Sequence, residues 1–73
     1  MRWEKIVGDN VRRLRQAQSL SQETLAAKSG IDMRYLGGIE RAQENPSLAV
    51  ICDIASVLGV HPSTLLIEPK SKT

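Results

Sequence analysis

Apolar positions recur along the chain at helical spacing and nowhere in strict alternation, so the sequence predicts helices throughout. Trp3, Val7, Val11 and Leu14, spaced four, four and three residues apart, form the stripe of a first helix from Trp3 to Gln18. Gly8 interrupts that stripe at a modest cost in helix propensity. A short second helix lies between Leu20 and Gly30. Ser21 is a good N-cap for it, Leu25 and Ala26 face inward, and Gly30 suits the left-handed C-terminal position. Asp32 caps a third helix whose inner face carries Leu36 and Ile39. Asn45-Pro46-Ser47 breaks the chain, and Ser47 caps a fourth helix that presents Leu48, Ile51, Ala55 and Leu58 and stops at Gly59. Its β-branched residues also suit a strand, but its length and caps favour a helix. His61-Pro62 opens a last short helix, with His61 as a possible cap, Pro62 in the tolerated first turn and Leu65 and Leu66 as core candidates. The expected fold is all-α, a compact domain of five short helices.

The stretch from Gln22 to Arg41 divides its labour unusually. Ala26 stands where the second helix must approach the third closely. Gly30 supplies the positive φ of a tight turn, and Leu25, Ile31, Leu36 and Ile39 lock the pair onto the core. Two helices joined steeply through such a turn predict a helix-turn-helix of the DNA-binding kind; a plain helical hairpin is the bland alternative.

Composition narrows the picture by exclusion. Seventy-three residues permit one small domain, whose limited core makes a partner subunit the expected remedy. Ten Lys or Arg against eight Asp or Glu give a net charge of +2, so the position of the charges matters more than their sum. Two aromatic residues, Trp3 and Tyr35, argue against a base-stacking platform for single strands. Cys52 has no disulfide partner in the chain and reads as a small core residue. With His61 the sole histidine, no metal site is expected, and neither a cofactor nor a small-molecule ligand is evident. No apolar run is long enough for a membrane span and no signal peptide is visible, so a cytoplasmic protein is expected. No nucleophile–base set, paired carboxylates or phosphate loop suggests an enzyme.

The strings from Val7 to Ile31 and from Tyr35 to Leu66 resemble the phage-repressor and Cro type of helix-turn-helix domain. The resemblance is carried by Leu20-Ser21-Gln22, Ile39-Glu40-Arg41, Asn45-Pro46-Ser47-Leu48 and Leu58-Gly59-Val60, and it runs to Ile67. It implies a sequence-specific regulator of double-stranded DNA over residues 1–67, followed by a short polar tail, 68–73, with Lys70 and Lys72. Such regulators usually act as homodimers on palindromic operators. Arg34 to Arg41 looks most like the short controller proteins of restriction–modification systems. A phage-type repressor, an antitoxin or a protein-interaction module on the same fold are the alternatives.

The resemblance also implies a mechanism. The third helix should enter the major groove, with Arg34 reading guanine, Met33 touching a thymine methyl, and Gly38 letting the backbone approach DNA. Gly37 and Gly38 are expected on the outer or flanking face. Ser21, Gln22, Tyr35, Arg41, Asn45, Arg12 and Arg13 are the expected backbone contacts. Met33 reads equally well as an ordinary exposed residue, and Tyr35 as a residue packed beside the core. Arg15 falls on the inner side of the first helix, where the resemblance pairs it with Glu40. Val50, Val57, Leu66 and Ile67 are the candidate dimer patch, with capping of the monomer's own core as the other reading. Two departures stand out. Ala42 replaces a common glycine, leaving the end of the third helix looser or longer, and Glu44 replaces a common basic residue.

Overall fold

The structure, a computed structural model, describes residues 2–69. The expected tail residues Lys70 and Lys72 lie outside the described residues. Four α-helices follow in order, α1 over Trp3–Ala17, α2 over Gln22–Ser29, α3 over Met33–Glu40 and α4 over Leu48–Leu58, then a 3-10 helix over Pro62–Leu66. Among the described residues there is no strand. The fifth expected helix is therefore a 3-10 turn. Pro62 brings no N–H, the segment is five residues long, and its Thr64 N–H bonds the His61 carbonyl at 2.9 Å in the tighter three-residue ring.

Side-chain caps start all the elements after α1. Ser21, Asp32 and Ser47 accept from the N–H groups of Thr24, Arg34 and Val50, and His61 Nδ1 accepts from the Ser63 N–H. Each α-helix ends through a left-handed residue followed by an N–H that reaches back five residues. These bonds are Leu20 to Arg15, Ile31 to Ala26, Gln43 to Gly38 and Val60 to Ala55, all 2.8–3.0 Å. Glycine holds the left-handed position after α2 and α4, at φ +75 and +74° for Gly30 and Gly59. After α1 and α3 it is Ser19, at φ 57°, and Ala42, at 63°. The end of α3 is thus neither loose nor extended: Ala42 adopts the conformation a glycine would.

The core joins Val7 and Val11 of α1, Leu25 and Ala26 of α2, Leu36 and Ile39 of α3, Ile51, Ile54, Ala55 and Leu58 of α4, and Leu65. Burying a side chain of Val, Leu or Ile size contributes roughly 1.5–3 kcal/mol, so this cluster dominates the favourable side of folding. Two stripes are turned relative to expectation. In α1, Trp3 is 54% exposed while Ile6 is buried. In α4, Leu48 is 68% exposed while Ile54 takes its place in the core. Cys52, expected in the core, is exposed.

Two contacts of α1 set the domain's shape. A Cβ on Gly8 would collide with the Ile39 carbonyl oxygen and come within 3.0 Å of that of Glu40, so α1 rests backbone against backbone on the end of α3. Asn10, fully buried, donates its amide to the carbonyls of Leu65 and Ile67 at 3.0 and 2.9 Å. Its Oδ1 accepts from Arg13 Nη2 at 3.1 Å, so all three partners of this buried amide are supplied within the chain.

Candidate nucleic-acid interface

The site is built on α2 and α3, which pack on one another with the Ser29-Gly30-Ile31 turn between them. Leu25 and Ala26 anchor α2, Leu36 and Ile39 anchor α3, and this leaves one end of α3 free. At that end Met33 is 48% exposed and Arg34 is exposed, with the Arg34 N–H engaged in the Asp32 cap. Tyr35 is half-buried and packs against the core cluster.

Beneath α3 runs a charged seam. Glu40, almost fully buried, accepts from Arg15 Nε at 2.7 Å and from Arg15 Nη2 at 3.0 Å, a bidentate pair. Arg15 Nη1 donates to the Leu20 carbonyl at 2.9 Å, and Gln22 Nε2 donates to Glu40 Oε1 at 3.0 Å. The hydrogen bond to Glu40 raises the Arg15 pKa above its already high ordinary value; burial works against this and the charge of Glu40 adds to it. A raised arginine pKa stabilises the fold below the ordinary value and is lost only at still higher pH, so Arg15 brings no pH dependence near neutrality. The seam ties α1, the α1–α2 turn, α2 and α3 together, which fixes the angle at which α3 is presented.

Other candidate residues are placed differently from one another. Ser21 is exposed at the start of α2, where its Oγ already bonds Thr24. Gln22, an expected phosphate contact, is half-buried with its amide on Glu40; only a seam partner that sequence spacing does not reveal accounts for this. Arg12, Arg13, Arg41 and Asn45 are exposed, although Arg13 is drawn to Asn10 and Arg41 Nε donates to Gln43. Gly37 and Gly38, expected on the outer or flanking face, are both buried. Gly37 lies under the Arg41 guanidinium and Gly38 under the Glu44 side chain, so the direct approach of Gly38 to a base is blocked in this conformation. Val50, Val57 and Leu66 are half-buried against the core, while Ile67 is 61% exposed. Among the described residues no group of His, Cys, Asp and Glu could hold a metal, and no helix is long and apolar enough to cross a membrane.

Residues 11–65 match the helix-turn-helix family HTH_3. The chain belongs to this family, of phage-repressor and Cro type. It is similar to the restriction–modification controller protein C.AhdI of Aeromonas hydrophila, whose crystal structure it matches with 47% identity and a TM-score of 0.82 over 85% of this chain and 94% of that one. The control protein C.SmaI of Serratia marcescens is 36% identical over 63 residues, 86% of this chain and 75% of that protein. SinR, a master regulator of biofilm formation solved in complex with DNA, is 35% identical with a TM-score of 0.79, covering 84% of this chain and 98% of that one. The chain is therefore a transcriptional regulator with a helix-turn-helix DNA-binding fold, homologous to controller proteins and to repressors, and its homologues are DNA-binding transcriptional regulators.

Proposed function

We propose that the protein is a homodimeric, sequence-specific regulator that binds a palindromic operator and controls restriction–modification genes. The observation that carries this reading is the exposed N-terminal end of α3, with Met33 and Arg34 projecting from a helix anchored by the core and the Arg15–Glu40 seam. A guanidinium there suits bidentate bonding to guanine O6 and N7, and Met33 suits a thymine methyl. Ser21 at the α2 N-terminus, with Arg12, Arg13, Arg41 and Asn45, suits phosphate contacts that position the domain. Tyr35 and Gln22 join them only at the edge of the interface, since one leans on the core and the other on Glu40.

Exposed Ile67, with the half-buried Val50, Val57 and Leu66, supplies the apolar strip for a second copy. A dimer places two recognition helices on half-sites about 34–36 Å apart. The gene target follows from likeness to the two controller proteins. Selection of bound sequences from a random DNA pool tests the whole reading: an inverted repeat at that spacing supports it, and no preference over non-specific duplex defeats it. Arg34→Ala should weaken operator binding by roughly 1–3 kcal/mol and relax preference at one base pair of each half-site. A loss uniform over all sequences would make Arg34 a phosphate contact.

A further inference from the structure

Two successive glycines inside a helix of eight residues are costly, roughly 1 kcal/mol each relative to alanine, and some contact should require them. The structure shows what fills the space. Where Gly37 would carry a Cβ, Arg41 Nη1 lies 3.1 Å away and Gln22 Oε1 3.8 Å. Where Gly38 would carry one, Glu44 Cγ lies 2.6 Å away, with Oε2 at 3.4 Å and Cδ at 3.5 Å. Side chains from beyond the end of α3 thus fold back over its bare flank. The left-handed turn at Ala42, closed by the Gln43 N–H on the Gly38 carbonyl, is what brings Glu44 within reach.

Position 38 is one turn beyond Arg34, so the two share a helix face. The Glu44 carboxylate consequently sits on the Arg34 face, in the volume that a side chain at position 38 would occupy. We propose that Glu44 is a specificity-determining residue, the surrogate side chain of Gly38, and that its carboxylate accepts a hydrogen bond from cytosine N4 in the major groove. The inference rests on the reading that α3 enters that groove. An ionised carboxylate only accepts hydrogen bonds, so it is repelled by the O6 and N7 of guanine and the O4 of thymine. Adenine places the acceptor N7 beside its amino donor, whereas cytosine presents the donor alone. The carboxylate therefore selects by attraction to one base and repulsion of the others.

The test is selection from a random duplex pool, followed by competition among single-base-pair variants, for the wild type, Glu44→Ala, Glu44→Gln and Gly38→Ala. The wild type should prefer cytosine at one position per half-site by about tenfold, within the range of one good base contact. Glu44→Ala should flatten that position and leave the base read by Arg34 unchanged. Glu44→Gln should move the preference toward adenine, whose N6 and N7 suit an amide. Gly38→Ala keeps the carboxylate but displaces it, and should flatten the same position. If Glu44→Ala instead tightens binding equally to every duplex, Glu44 merely opposes the phosphates and the proposal falls while the regulator reading stands. A wild type without any sequence preference overturns both.

Discussion

The four α-helices end in the same hydrogen-bonded turn, yet two of the ends are glycine and two are not. Gly30 and Gly59 have open space where a Cβ would stand, so glycine is there for its backbone alone. Ser19 and Ala42 adopt the same left-handed conformation against the steric preference of a side chain. What distinguishes the second pair is the seam. Arg15, in the last turn of α1, holds the carbonyl of Leu20 just past Ser19, and its pair partner Glu40 is the final residue of α3, two before Ala42. The strained ends are the clamped ends. Glycine makes a turn easy, and a buried ion pair makes an uneasy turn persist.

Breaking the clamp should have the largest effect. Glu40→Ala leaves the partly buried Arg15 guanidinium without its carboxylate, and equilibrium urea unfolding should show a loss of about 2–4 kcal/mol. The next effect is at a glycine end. Gly30→Ala meets no neighbour and costs only backbone strain, so the same measurement should show about 1–2 kcal/mol of destabilisation. The smallest runs the other way. Ala42→Gly relieves the left-handed strain and partly gives it back through a freer unfolded chain, for a net gain of about 0.5–1 kcal/mol in thermal unfolding. A loss there would show that Ala42 is unstrained and that the two kinds of end do not differ.

Local chemistry was readable from the sequence wherever one residue type is sufficient reason for a conformation. The caps Ser21, Asp32, Ser47 and His61 and the stops Gly30 and Gly59 belong to that class. Periodicity gave less. α4 is apolar almost all round, so the choice of Leu48 over Ile54 as core could not be made from spacing. In α1 the buried face includes the polar Asn10, which broke the stripe and let Trp3 stand in for Ile6. The outward placement of Gly37 and Gly38 failed for a different reason: the side chains that cover them come from Arg41 and Glu44, across a turn whose geometry depends on an alanine adopting an unusual φ. Gln22 is engaged by a residue eighteen positions away, a distance no local motif spans.

Asn10 also bears on the order in which the domain assembles. Its two amide bonds reach 55 and 57 residues along the chain, whereas the helix-turn-helix closes within about twenty. Contacts among α1, α2 and α3 close short loops, but the amide of Asn10 has no acceptors within the protein until Leu65 and Ile67 have folded back onto α1. Burying it before then leaves an unsatisfied donor, which disfavours early collapse of α1 by about 1–3 kcal/mol. The same buried cluster takes Leu25 and Leu36 from the helix-turn-helix and Leu65 from the final turn, so α2 and α3 are not fully supported until the two ends of the described chain have met.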